Sequence, residues 1–181
     1  MDYPMYDELK DDYILTKVQY PDHIEEIGRL RNLAWKDVEG INKEFFSKGL
    51  WLDDYDKTSH LWIIRYKEQM VATARLSIHN EINEIPWNEY IPQDAMKLIN
   101  PPVATISRLC VHPDFRKRGL SRPLDLVRIK VATELKVHAI LAEPILERFN
   151  TLEKYGYQHF GYFGHPMEMP GVTIGFRIKF L

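Results

Sequence analysis

Six consecutive residues, Arg116-Lys117-Arg118-Gly119-Leu120-Ser121, are suited to binding an anion. They follow an apolar run at 104–111, ATISRLCV, which reads as a buried strand. His112-Pro113-Asp114 ends that strand, because proline has no N–H for a ladder. After the loop, Leu124, Val127, Val131 and Leu135 recur at three- and four-residue spacing, the period of one helix face. Strand, basic glycine loop and helix in that order aim the free N–H ends of the helix, and its dipole, at a ligand. Gly119 allows a tight turn and close backbone approach. Ser121 can cap the helix, and Pro123 fits its first turn. A phosphate or pyrophosphate suits such a site; a solvated loop capping an ordinary helix is the competing reading.

Acids that could move a proton lie elsewhere. Asp53-x-x-Asp56 sits in an acidic, aromatic loop, and Glu143 follows an apolar strand predicted over 137–142. The carboxyl end of a strand in an α/β sheet is where ligands gather. The following helix, which carries Tyr155, is predicted to open at Glu143-Pro144 and to stop at Gly156. Cys110 stands alone in the apolar strand, so it forms no internal disulfide and reads as a buried, inert thiol. Cys and His spacings suited to a metal are missing.

Neither G-x-x-x-x-G-K-[ST] nor G-x-G-x-x-G occurs. Arg116-x-x-Gly119-x-Ser121 instead resembles the [QR]-x-x-G-x-[GA] acyl-CoA pyrophosphate loop of the GNAT (GCN5-related) N-acyltransferases, with Ser in the last small position. Leu109-Cys110-Val111-His112-Pro113-Asp114-Phe115-Arg116 is similar to that family's fourth strand and its exit, and the phrase at 151–157, TLEKYGY, is similar to its F-Y-E-K-x-G-F. The resemblance implies a mixed central sheet, splayed around the acyl-CoA site and flanked by helices. It implies that a backbone N–H of Leu109, Cys110 or Val111 polarises a thioester carbonyl, and that loop 116–121 holds the pyrophosphate. Acetyl-CoA or another acyl-CoA is then the donor and a small primary amine the acceptor.

Other residues resemble a branch of that superfamily, the acyl-homoserine-lactone synthases and long-chain N-acyl amino acid synthases. Arg31 and Trp35 on the first helix, Asp53-x-x-Asp56, Arg75 on a hairpin, and Thr105-x-Ser107-Arg108 stand where that branch carries an Arg and aromatic, D-x-x-D, an Arg, and E-x-S-R. This implies substrate-binding roles for Arg31, Trp35, Arg75, Ser107 and Arg108, and acyl carrier protein as an alternative donor. Arg108 in an apolar strand requires a partner, which Asp53 or Asp56 could supply. Thr105 replaces the branch's Glu, Leu152 replaces the superfamily's usual tyrosine acid, leaving Tyr155, one helical turn further on, as the candidate acid, and Ile145 replaces a frequent Asn.

The elements that must position these groups read as one α/β domain over 1–181. A strand at 13–18 precedes a helix begun by Pro21-Asp22, with Ile24, Ile27, Leu30, Leu33 and Ala34 on its inner face and Arg29 and Arg31 off it. A short helix at 42–48 and a hairpin of 61–66 and 70–78 follow. A long connection at 79–103 leads to the central strand–helix–strand and a last strand pair at 157–163 and 172–180. Net charge is -2, which excludes a general nucleic-acid partner. No apolar run reaches the ~20 residues of a membrane span, and the acidic start MDYPMYDELKDDY is unlike a signal peptide, so the expected location is cytoplasmic. A homodimer is compatible with this reading. A non-catalytic acyl-CoA sensor and a nucleotide-binding protein are the rival classes.

Overall fold

The computed structural model describes residue 9 and residues 12–162 and 167–181. Its elements are β1 (Tyr13–Val18), α1 (Ile24–Trp35), α2 (Lys43–Phe46), β2 (His60–Tyr66), β3 (Gln69–His79), α3 (Gln93–Met96), β4 (Val103–Val111), α4 (Ser121–Glu134), β5 (Ala139–Ala142), α5 (Phe149–Lys154), β6 (Gln158–Tyr162) and β7 (Gly175–Phe180). They form a seven-stranded sheet in the order β1-β2-β3-β4-β5-β7-β6. β4 and β5 pair in parallel through the α4 crossover, and the other neighbours are antiparallel. The sheet is therefore mixed, as the strand–helix–strand order requires.

Each face of the sheet has its own core. Leu124, Val127, Val131 and Ala132 of α4 pack on Leu76, Ala104, Ile106 and Ile140. On the opposite face Ala34, Phe46, Trp51 and Ile85 meet Val103, Ala139, Leu141 and Phe176. Each such Val, Leu, Ile or Phe side chain taken from water contributes about 1.5–3 kcal/mol. Ile27 and Leu30 of α1 cover Leu61 and Ile63 of β2. Among the described residues no helix is long and apolar enough to cross a membrane.

Four local expectations need correction. Leu135 is 48 % exposed, because α4 has ended and the residue is its C-cap. Leu120, not Ser121, is the N-cap of α4, and no side chain caps it. Arg31 lies on the inner side of α1, fully buried, because it meets a carboxylate there. No helix opens at Glu143: Ile145 bridges to Ile174, and Pro144 O accepts the Gly175 N–H at 2.9 Å. Those sheet-like bonds hold the backbone extended, so a 3-10 turn starts only at Leu146 and α5 at Phe149. Gly156 does stop α5, with φ +86°. Residues 163–166, at the end of the expected strand 157–163 and the start of the loop after it, lie outside the described residues.

Candidate active site

β4 and β5 pair only from Val103↔Ala139 to Ile106↔Ala142, although β4 continues to Val111. The strands therefore part and leave a cleft beside residues 107–111. Within that stretch the β3–β4 register slips, and Arg108 takes φ +53°. Ala104 and Ile106 face the α4 core before the slip, whereas Leu109 and Val111 face it afterwards. An inserted residue of this kind is a β-bulge, and it re-aims the chain beyond it. The His112 N–H bonds Val71 O at 2.8 Å. Strand alternation then turns the Cys110 N–H to β3 and those of Leu109 and Val111 to the cleft. From α4, buried Arg128 holds the bulge: its Nη1 donates to Arg75 O and Ser107 O, each at 3.3 Å, while Asp125 takes its Nη2 at 2.7 Å.

Past β4 the chain makes a 3-10 turn, Pro113–Phe115, and enters the basic loop. Lys117 and Gly119 have φ +62° and +80°, and no atom lies within 4 Å of where a Gly119 Cβ would be. A cavity of about 550 Å³ opens there, lined by Tyr13, Lys117, Arg118, Gly119, Leu120 and Arg122. An open glycine, cationic side chains and the N-terminus of α4 together fit a diphosphate. The Arg116 side chain turns elsewhere. Arg116 Nη2 donates to Ala34 O at 2.5 Å and so ties the loop to α1 instead of lining the cavity.

The opposite side of the cleft is polar. Thr73, Arg75, Ser77 and His79 alternate along β3 and are all buried on one face. Arg75 Nε donates to Ser107 Oγ at 3.0 Å, and its Nη1 bonds both Asp53 and, at 3.1 Å, Asp56. Arg31 Nη1 reaches both Asp56 oxygens at 2.9 Å. Arg108 Nη2 holds Asp53 Oδ2 at 2.7 Å, and its guanidinium stacks 4.0 Å over Trp51. Asp53 and Asp56 also form a capping box around the turn Asp54–Lys57, which fixes their spacing. Glu143 projects from the end of β5 on this same face, two residues beyond Leu141 of the face's core.

Against this geometry, the family model described as Acetyltransferase (GNAT) domain matches residues 30–124, from within α1 to the first turn of α4. The chain belongs to the GNAT acetyltransferase family. Solved structures share the GNAT fold at low identity. An N-acyl amino acid synthase, FeeM, from uncultured soil microbes superimposes with TM-score 0.70 and 10% identity, over 93% of this chain and 90% of that one. A CoA-dependent acyl-homoserine lactone synthase, BjaI, solved with SAM and isopentyl-CoA, gives 0.67 and 15%, over 93% and 84%. A GNAT family acetyltransferase from Elizabethkingia anophelis with acetyl-CoA bound gives 0.59 and 14%, over 95% and 100%. No curated protein matches in sequence.

Within this GNAT site the three candidate carboxylates differ sharply. Asp56 is 1% exposed, with both oxygens on arginines, so it positions its neighbours and lies beyond a substrate's reach. Burial would raise the Asp53 pKa, but Arg108 and Arg75 outweigh it and hold the group well below the usual carboxylate range. Glu143 is the opposite case: burial pushes it up to about 7, against the pull of Arg108 and Arg75. Among the described residues Glu143 shows no hydrogen bond. The candidate acid lies apart from this cluster: Tyr155 packs against the core under α4 in which Leu152, at the family's tyrosine position, is buried. Trp35 stacks edge-on against Trp51 at 5.9 Å, which makes both part of the wall.

Two features escaped the sequence. Thr105, where a Glu was expected, bonds His79 Nε2 at 2.9 Å. Burial pushes the His79 pKa down to about 4, so a neutral pair replaces an ionic one. The period-two polar stripe along β3 was the available signal. Glu168, in the loop before β7, reaches Arg108 Nη2 at 3.5 Å; nothing in its sequence surroundings marks it. Cys110 is 2% exposed with its thiol pKa raised by burial. It should react with an aromatic disulfide reagent only as the protein unfolds, which a thiol-release time course would show.

Proposed function

We propose that this protein transfers an acyl group, acetyl by default, from acyl-CoA directly to a small primary amine. The observation that carries the reading is Glu143, a half-buried carboxylate whose pKa lies near 7 and which stands at the end of β5 where the β4–β5 cleft opens. A base poised there takes the proton that an attacking amine must lose. The donor supplies an activated thioester carbonyl. N–H groups of Leu109 and Val111, on the cleft side by strand alternation, would donate to that carbonyl's oxygen. Lys117, Arg118, Arg122 and the α4 N-terminus hold the diphosphate. Arg75, Ser107 and Arg108 shape the acceptor side, with Trp35 and Trp51 as its wall. Tyr155 is the candidate acid for the departing thiolate. A single buried thiol suits a cytoplasmic setting.

A second reading, a longer acyl chain delivered by acyl-CoA or acyl carrier protein, is favoured by one observation. The Asp53, Arg75, Ser107 and Arg108 set that suggested the synthase branch is assembled as one bonded network. A pure sensor would have no use for a base near neutrality.

Calorimetric titration with acetyl-CoA, a long-chain acyl-CoA and desulfo-CoA tests this on the wild type and on Gly119→Trp. The indole would fill the open loop, and φ +80° adds strain of about 1–2 kcal/mol. We expect the variant to lose at least a hundredfold in acetyl-CoA affinity while melting only a few degrees lower. Binding confined to the long-chain donor would favour the second reading. Binding of no donor, or a fully functional Gly119→Trp, would remove the basis for either.

A further inference from the structure

Glu168 is 6% exposed, and its Oε2 has no hydrogen-bond partner among the described residues. Its Oε1 lies 3.5 Å from Arg108 Nη2, a long contact. The residue is held in place. Its carbonyl accepts the Asn42 N–H at 2.9 Å, and the Gly171 N–H bonds Gly40 O at 2.7 Å. At that crossing a Cβ on Gly40 would meet Gly171 backbone at 2.7 Å, and one on Gly171 would meet Gly40 at 2.8 Å. The loop carrying Glu168 is thus seated on the α1–α2 connection, which fixes the backbone from which its carboxylate projects.

A buried carboxylate oxygen without a donor is costly, and a ligand N–H would offset that cost. The charges around it decide which ligand. Arg31, Arg75 and Arg108 are already engaged by Asp56 and Asp53. Arg31 keeps Nε and Nη2 unpartnered, but its side chain is fully enclosed. The acids with capacity left are Glu168, whose Oε1 makes only the long contact with Arg108, and Glu143, whose charge Glu168 disfavours. The site therefore offers an ammonium two carboxylates and offers a substrate carboxylate no accessible guanidinium that is not already paired.

We infer that the acceptor is a small aliphatic amine or diamine with no carboxylate beside the reacting nitrogen, and that Glu168 Oε2 receives one of its N–H groups. An amino acid would bring a further negative charge next to Asp53, Glu143 and Glu168. Glu168 is a substrate-contacting residue in this arrangement, and Glu143 accepts the proton. The inference rests on the acyltransferase reading above.

Matched acceptors that differ only in the carboxylate test it: cadaverine against lysine, and tyramine against tyrosine, with acetyl-CoA as donor. CoA release and product mass give kcat/KM, and calorimetry in parallel gives acetyl-CoA affinity. The expected result is a preference of at least tenfold for the decarboxylated member of each pair. Glu168→Gln should raise KM for the amine about tenfold with kcat within threefold and acetyl-CoA affinity unchanged, and Glu168→Asp should recover part of the loss. Equal or better use of the amino acids, an unchanged KM in Glu168→Gln, or no acylation of any acceptor while acetyl-CoA still binds would each overturn the inference. A protein that fails to bind acetyl-CoA would instead bring down the acyltransferase reading, and this inference with it.

Discussion

Glu143→Gln is expected to lower kcat/KM by about 10²–10⁴-fold, the usual contribution of a positioned general base, while leaving acyl-CoA affinity intact. The amide keeps the shape of the side chain and removes only its basicity. Wild-type rate should rise as pH passes about 7, where Glu143 loses its proton, and that limb should vanish in the variant. The groups facing Glu143 are Arg108, Arg75 and Glu168. The first two pull its pKa down and the third pushes it up, so burial remains the main cause of the shift. Stability gives an independent check with a definite sign. The folded pKa, about 7, exceeds the ordinary 4.5, so this group's favourable contribution is complete below pH 4.5. It is then lost as pH rises toward 7. Glu143→Gln has no charge to bury, so above pH 7 it should be more stable than wild type, by at most about 3 kcal/mol given partial exposure. Denaturant midpoints at pH 5 and pH 8 would measure this. A variant that is inactive yet more stable at alkaline pH fits a catalytic base; one that is inactive and unstable at both fits a structural acid.

Asp56→Ala should be the most destabilising single change in the site. It leaves Arg31, 0% exposed, without its carboxylate partner and removes one of two acids from Arg75. Breaking a buried pair from one side costs about 3–5 kcal/mol. For a chain of this size that corresponds to a fall in melting temperature on the order of 10 °C. The Asp53 N–H would also lose its bond to Asp56 Oδ2, 3.1 Å long, and with it the fixed position of the acid that holds Arg108. Activity should therefore fall further than stability alone explains. Removing both charges, as Arg31→Met with Asp56→Leu, should recover most of the stability, because an apolar pair avoids the desolvation cost. It should not recover the activity. Differential scanning calorimetry and turnover on the three proteins would separate these outcomes.

Much of the fold is written in local pattern. The run at 104–111, the basic loop and the apolar face of α4 are contiguous in sequence, and so are the two hairpin strands, so periodicity and turn residues suffice to place them. The bulge at Arg108 was less obvious but not hidden. Ala104 and Ile106 keep one phase, Leu109 and Val111 the other, and the three-residue step between Ile106 and Leu109 marks the slip. The burial of Arg31 could not be read from the α1 stripe, because its partner Asp56 lies 25 residues away and periodicity carries no information about partners. The late start of α5 has the same origin: Pro144 and Ile145 are held extended by Ile174 and Gly175, some thirty residues on. Glu168 illustrates the limit most plainly. Its place in the site depends on the contact of Gly40 with Gly171, two glycines whose adjacency only the folded chain reveals.

The most direct measurement is the stoichiometry of free CoA thiol to N-acetylated product when wild-type protein is given acetyl-CoA and a primary amine such as cadaverine. Direct transfer predicts one thiol for each amide, negligible release without the amine, and an intact protein mass that stays unmodified throughout. Thiol release that proceeds without amine and leaves an acetyl group on the protein would contradict the account, and so would a complete absence of release.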